Sequence, residues 1–363
     1  MKSYRRFESE QELKEHIRDN FETYVHLLKE KIAPLEENYR RSYKQGVVGI
    51  FLVIASIVTW YIHPPILIPL SLLFLYFGIK MIRSALPVVY SFNKALNQAS
   101  YSLVFKLFDL EAEYFEPSEE VTPKKLDYLP KRLSSIKYVF PKKFYHDTLT
   151  PTVSGKVGKL LDHSMLMTEP RNTIQVDDAF TSKFSNREMY IAELDVKHIE
   201  RSRRRVFVKN IFSGLFVALE LPRTLEGKTF ISTELGLLFQ DIGGQVFDPD
   251  AVETELEWND FEKLLEVKTT NPIEARYILT PDFMEDLFIW WRDRKQLGDK
   301  KLQVRLSFVG NHMYVLFPDK RTRVGNAALR VQAHETQKHL ESIALPLMHI
   351  LNLIDDVEHR IKS

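Results

Sequence analysis

Two uncharged apolar runs, separated by three residues, constrain this chain more than any other feature. Gly46 to Ile62 is uninterrupted, and Ile66 to Ile79 follows after His63, Pro64 and Pro65. A helix needs roughly 20 residues to cross a hydrocarbon core, and Tyr61, Pro65 and the residues to Met81 extend the two runs toward that length. Arg40, Arg41 and Lys44 precede the pair, Lys80 and Arg83 follow it, and the turn carries no basic residue. Basic residues are retained on the cytoplasmic side, so these flanks predict a hairpin with both ends in the cytoplasm. Prolines suit the turn, where losing backbone donors costs least. A re-entrant pair that dips in without crossing keeps the same sidedness. A buried hairpin of a soluble protein is the bland alternative. The start, Met1-Lys2-Ser3-Tyr4-Arg5-Arg6, leads into charged sequence, so the first run is expected to be its own insertion signal.

The rest of the composition mainly excludes. With 50 basic and 49 acidic residues, no global field favours nucleic acid or an acidic partner. There is no cysteine, which removes disulfides, cysteine-ligated metal sites and thiol catalysis together, and fits a reducing compartment.

Helices are expected to continue out of the bilayer. Ser9 and Glu12 form a capping box. Leu13, Ile17, Phe21, Tyr24, Leu28, Ile32, Leu35 and Tyr39 then follow at steps of three and four, a repeat that keeps one stripe on a nearly straight helix. Pro34 should kink it. Leu86, Val89, Leu96, Leu103, Leu107 and Leu110 form a comparable stripe after the second run, diluted by Asn93 and Ser100. The two stripes read as a helical stalk, or equally as separate helices packed on the globular part.

Six of the 17 prolines fall between Glu116 and Pro170, which reads as extended connections and short strands. Strands and helices alternate beyond it. Tyr190, Ala192, Leu194 and Val196 oppose Glu193, Asp195 and Lys197, as in a half-buried strand. The next strand alternates as Val206, Val208 and Phe212, then flips parity to Leu215, Val217, Leu219 and Leu221, which predicts a β-bulge at Ser213-Gly214. Val304, Leu306 and Phe308, then Met313, Val315 and Phe317, predict a hairpin turning at Gly310-Asn311. Thr280, Pro281 and Asp282 start a helix with Met284, Leu287, Phe288 and Trp291 on its apolar face, ending at Gly298. A last helix over 335–361 buries Leu340, Ala344, Leu347, Leu351 and Ile354, with a kink at Pro346. The fold class is α+β: a transmembrane helical hairpin with a helical stalk, then a cytoplasmic antiparallel-sheet domain with a C-terminal helix. The expected divisions are an N-terminal cytoplasmic helix over 1–45, the transmembrane hairpin over 46–82, a stalk helix over 83–115 and the α+β domain over 116–363.

Candidate chemistry fails residue by residue. Ser154-Gly155-Lys156-Val157-Gly158-Lys159 resembles a phosphate loop, but Leu160 and Val153 occupy the places that need a hydroxyl and a glycine, so it reads as an ordinary loop. His334, Glu335 and His339 suggest a zinc helix, yet five residues turn a helix by roughly 140° and the rings diverge. Asp355 and His359 share a face with no third ligand in view, which reads as a solvated charged face. Asp177, Asp178 and Glu193 could pair carboxylates, with nothing nearby to complete a site. Arg201, Arg203, Arg204 and Arg205 form the densest basic cluster. It reads as a solvated hairpin turn or as a contact for anionic headgroups or a partner, since no aromatic residues alternate with the arginines as nucleic-acid binding would require.

Phe212-Ser213-Gly214-Leu215-Phe216 and the run from Glu274 to Met284, with Ser164-Met165-Leu166 and Asp177-Asp178, resemble a bacterial family of two-span membrane proteins. That family is known only as a domain of unknown function, at times under a galanin-type label. The likeness runs from the hairpin to about Phe317, and its motifs are structural. It implies a multi-pass inner-membrane protein encoded beside LemA-like proteins, hence a shared membrane complex, and it brings no functional residues.

The reading is a membrane-anchored interaction or scaffold protein at the plasma (inner) membrane, both termini cytoplasmic. It is expected to bind the bilayer and a membrane-associated partner protein or lipid headgroups, with no nucleic acid and no cofactor. The alternative is a membrane-bound, hydrolase-like enzyme whose site the residues do not reveal; polar residues converge nowhere in sequence, and 13 glycines are few for phosphate-cradling loops.

Overall fold

The structure is a computed structural model, and it describes residues 4–62, 64–114, 156–167, 173–201, 206–233, 250–254, 258, 265–285, 287–288, 305–318 and 333–362. The apolar runs lie in two long helices, α2 (Phe21–Ile62) and α3 (Pro64–Leu107), which pack antiparallel. Their seam joins Leu28, Ile32 and Tyr39 to Phe92, Leu96 and Leu103, with the Tyr39 and Phe92 rings stacked at 4.2 Å. Farther along, a Cβ on Gly49 would lie 2.8 Å from the Gly78 carbonyl oxygen, and one on Gly78 would lie 2.7 Å from that of Gly49. The backbones touch there, as small residues permit. Outward from this seam the apolar side chains are exposed: Phe51 is 67% and Tyr76 61% exposed. Only 17% and 11% of the most apolar stretches of α2 and α3 are buried, so these stretches lie outside the domain core, and both helices are long and apolar enough to cross a membrane. Helix α2 continues through Pro34.

The first stripe is broken where a single helix was expected. Helix α1 (Glu10–Asp19) ends at Asn20, whose side-chain amide donates to the His16 carbonyl at 2.9 Å. Leu13 and Ile17 then bury in the domain core, whereas Leu28 and Ile32 bury in the stalk seam. Half of the expected capping box is present: Ser9 Oγ accepts from Glu12 N–H at 3.2 Å, whereas the Glu12 carboxylate accepts from the N–H of Glu8 at 2.9 Å instead of that of Ser9. At the other end α3 stops at Leu107, because Asp109 turns at φ 55 into strand β1 (Ala112–Tyr114), so the second stalk helix is shorter than 83–115.

Nine strands form one antiparallel sheet among the described residues, in the order β1-β2-β3-β4-β9-β8-β5-β7-β6. They are β1, β2 (Thr173–Phe184), β3 (Arg187–Arg201), β4 (Val206–Glu220), β5 (Lys228–Thr233), β6 (Val252–Glu253), β7 (Leu265–Thr269), β8 (Arg305–Val309) and β9 (His312–Pro318). Helices α1, α3 and α6 (Ala333–Lys362) cover one face with Phe180, Ile191, Val217, Leu306 and Val315 beneath them. Helix α4 (Lys156–His163) covers the other, over Ala192, Phe216, Phe230 and Tyr314. Strand β3 is therefore buried on both sides instead of one: Glu193 and Asp195 are 7% and 6% exposed. Segment 154–159 is also not the loop expected, since Lys156 begins α4; Ser154 and Gly155 lie outside the described residues, as does most of 116–170.

The β8–β9 hairpin has the register its sequence specifies: Val309 pairs with His312, Phe308 with Met313 and Leu306 with Val315. Gly310 turns at φ 61, whereas Asn311 is not among the positive-φ residues, which fits a turn with glycine first instead of two left-handed residues. Val304 lies outside the described residues. The β4 bulge is displaced from its expected place: Val196 pairs with Phe212 and Lys197 with Asn210, so Ile211 is the inserted residue, not Ser213 or Gly214. Phe212 consequently packs on the α4 face, while Leu215, Val217 and Leu219 pack on the other.

Candidate functional site

The basic cluster falls, in sequence, where β3 ends and before β4 begins. Strand β2 accompanies β3 only to the Thr173–Lys197 pair, and β9 accompanies β4 only to the Gly214–Pro318 pair. Beyond these, from His198–Lys209 to Arg201–Val206, β3 and β4 pair with each other and with no further strand among the described residues. Arg201 ends β3; Arg203, Arg204 and Arg205 lie outside the described residues, bracketed by the Arg201–Val206 pair. Phe207 and Val208 follow at 56% and 55% exposed, next to exposed Lys209 and Asn210. Residues 197–210 carry six lysines and arginines against the single Glu200, so the arm is cationic. Exposed valine and phenylalanine on a two-stranded ribbon bury nothing in the fold: alternation assigns Val208 to the apolar face of its strand, and Phe207, of opposite parity, to the other.

The remaining candidates have structural duties. Asp178 and Glu193 both lie beneath α3, where Asn97 Nδ2 donates to Asp178 at 3.3 Å and the Tyr101 hydroxyl donates to Glu193 at 3.4 Å. His339 is buried, with Nε2 3.1 Å from Ser100 Oγ, and burial pushes its pKa down to about 4, so it stays neutral. The side chains of Asp177, His334, Glu335 and His359 lie outside what the structure describes. Asp355 pairs with Arg6 at 3.3 Å. No three histidine, aspartate or glutamate side chains among the described residues are grouped to hold a metal.

One polar cluster was not anticipated. His163 Nδ1 lies 2.7 Å from the Tyr314 hydroxyl, and the His312 ring stacks on Tyr314 at 5.6 Å. Burial, then the proximity of His163, lowers the His312 pKa; burial raises that of Tyr314 to about 12. At the start of α4, Lys156 donates to the Tyr190 hydroxyl, which donates to Glu188. These contacts hold both ends of α4 on the sheet.

The sequence motifs are likewise structural. The Glu274 carboxylate accepts from the backbone N–H of Gly227 at 2.6 Å and Glu226 at 3.2 Å, and Asn271 caps helix α5 (Pro272–Ile278). Thr280 caps the turn after it, with Met284 N–H on its carbonyl at 2.9 Å; Trp291 and Gly298 lie outside the described residues. The Ser164 and Leu166 carbonyls accept from Ser307 Oγ at 2.7 Å and Arg305 at 2.9 Å, which is why those two polar side chains of β8 are buried.

Residues 210–359 match a family described as a protein of unknown function (DUF3137). The match starts within β4 and ends within α6, so it leaves the hairpin outside. No curated protein matches the chain. Among solved structures, the crystal structure of the mycobacterial trehalose monomycolate transport factor A, TtfA, aligns at 9% identity and a TM-score of 0.26 over 50% of this chain and 82% of that one. A likeness that low bears on neither fold nor role.

Proposed function

We propose that the protein is a membrane-anchored scaffold, its α2–α3 hairpin crossing the inner membrane and its sheet domain held in the cytoplasm to bind a partner protein or lipid headgroups. One observation carries this reading. The segment before the hairpin is fastened to the last helix: Arg6 pairs with Asp355, the Asn352 amide donates to the Phe7 carbonyl at 2.8 Å, and His349 meets Glu10 at 3.0 Å. Residues on either side of the apolar pair therefore share one compartment, which requires an even number of crossings. Basic flanks select the cytoplasm. Tyr43 and Trp60, 39% and 53% exposed, bracket the apolar part of α2 as interfacial aromatics do. An enzymatic role finds less support, because the polar clusters among the described residues brace helices and none of them combines a nucleophile, its base and an open cavity.

Extraction of native membranes with alkaline carbonate, then mild-detergent purification and mass spectrometry, tests the proposal. The protein should stay in the pellet and purify with a stoichiometric protein. A bound nucleotide or metal in place of that partner would favour the enzyme, and release by carbonate would end the anchored reading.

A further inference from the structure

Lys80 and Arg83 of α3 sit deeper in the hairpin than the cations of α2, and the pairing of the two helices fixes by how much. The Tyr39 ring stacks on Phe92, and a Cβ on Gly46 would lie 3.3 Å from that of Ala85. A Cβ on Gly49 would lie 3.1 Å from the Ile82 backbone nitrogen, and one on Gly78 3.1 Å from that of Val53. These contacts keep one register, in which each residue forward in α2 is matched by one backward in α3. Lys80 is therefore level with Phe51, and Arg83 with Val48, inside the apolar run of α2. Lys44 is level with Pro87, about 10 Å farther from the turn than Lys80 at ~1.5 Å per residue.

The helices also turn these cations away from each other. Lys80 and Arg83 stand roughly 160° and 140° around α3 from Gly78, and Arg40 and Lys44 roughly 180° and 140° around α2 from Gly49. All are exposed. Arg40 holds Glu36 at 2.6 Å. Lys80 and Arg83 have no such neighbour: α3 contains no aspartate or glutamate, and α2 contains none from Gly46 onward. Apolar side chains border them instead, with Leu73 and Tyr76 at 50% and 61% exposed before them and Tyr90 at 42% after.

Depth decides what can neutralise them. From Ile66 to Ile79 α3 rises about 21 Å at ~1.5 Å per residue, short of the roughly 30 Å of a hydrocarbon core. A cation at that depth extends its stem toward the interface, and headgroups are drawn inward to meet it. We propose that Lys80 and Arg83 form a binding site for the phosphate of an anionic lipid on the face of α3 turned away from α2. The proposal rests on the anchored reading above. It commits to a lipid because the pair lies level with Phe51 and Val48, apolar side chains 67% and 48% exposed that acyl chains cover. Tyr76 and Tyr90 flank the pair as aromatics do at the headgroup level.

Because the chain has no cysteine, Ser84→Cys gives a single labelling site beside Arg83 on the full-length protein. A fluorophore there is read in vesicles doped with nitroxide-bearing phosphatidylglycerol or phosphatidylcholine. At equal density, phosphatidylglycerol should quench it several-fold more strongly. Lys80→Gln/Arg83→Gln should abolish that preference, Lys80→Arg/Arg83→Lys should keep it, and Arg40→Gln/Lys44→Gln should leave most of it. Equal loss in both glutamine variants would reduce the effect to general surface charge and overturn the site. A preference that survives Lys80→Gln/Arg83→Gln would overturn it too. So would its removal by inorganic phosphate at constant ionic strength, which would make the ligand a soluble anion. A label at Phe51→Cys separates these results from the anchored reading, since insertion shields that position from iodide in the water. Shielding at 51 with no lipid preference at 84 overturns the site alone. Iodide quenching at 51 fails the anchored reading, and the site falls with it.

Discussion

The Tyr4 hydroxyl donates to Asn352 Oδ1 at 2.5 Å, joining residues 348 apart in sequence and on opposite sides of the apolar pair. Around this bond, Phe7 is fully buried and Arg6 pairs with Asp355, so the N-terminal segment is part of the domain core. Burial first, and Asp355 next, raise the Tyr4 pKa, which keeps the hydroxyl a donor.

Asn352→Ala removes the acceptor for Tyr4 and the donor for the Phe7 carbonyl, so stability should fall by about 1–3 kcal/mol. Phe7→Ala should cost more, about 3–5 kcal/mol, through the cavity left in the core. Thermal unfolding in detergent, followed by tryptophan fluorescence, compares both with wild type; equal melting temperatures would mean that the clamp contributes nothing.

Gly78→Leu should force the α2–α3 seam apart, because a Cβ there would already lie 2.7 Å from the Gly49 carbonyl oxygen and 2.8 Å from Val53. Val48→Leu, at a 48% exposed position, is the matched control and should be silent. Disulfide trapping between cysteines placed at Tyr39 and Phe92, whose rings stack at 4.2 Å, reads out the seam. Equal trapping in both backgrounds would show that the helices do not need this close approach.

The His339 pKa is lowered to about 4 in the fold, against roughly 6.5 when unfolded. Above pH 6.5 the ring is neutral in both states and contributes no pH dependence. Between about 6.5 and 4 the unfolded chain binds a proton that the folded one does not, so stability falls with pH, by on the order of 3 kcal/mol in all. His339→Gln should flatten that window, and denaturant midpoints at pH 7, 5.5 and 4.5 check it.

Gly310→Val should destabilise the β8–β9 hairpin by roughly 1–2 kcal/mol, since φ there is 61 and a β-branched residue resists it. Gly310→Asn should cost less. Space does not limit either change, as a Cβ would meet His163 only at 3.9 Å. Similar losses for both variants would point to a cause other than the turn.

That hairpin was legible because its turn residues and its alternation specify one register independently. The bulge was legible in kind and misplaced by two residues: parity reports that one residue is extra, and adjacent apolar Ile211 and Phe212 do not show which. Asn20 was invisible as a break because the stripe continues across it at helical spacing. Helix α4 was missed since Gly155 and Gly158 beside proline-rich sequence read as loop; its support, from Tyr190 and Tyr314, is remote in sequence. The same remoteness hid the clamp and the sheet order. Exposure of Phe207 and Val208 depends on which neighbours β3 and β4 lack, and no single strand records that.

The central claim, that the apolar pair is a membrane hairpin with everything else on the cytoplasmic side, is tested most directly by thiol accessibility in intact cells. Single cysteines replace Ser3, His63 and Ser363, and each variant meets a membrane-impermeant maleimide from outside. The account predicts labelling at 63 alone, with 3 and 363 labelled only after lysis. Labelling at 363 in intact cells, or opposite results at 3 and 363, would contradict it.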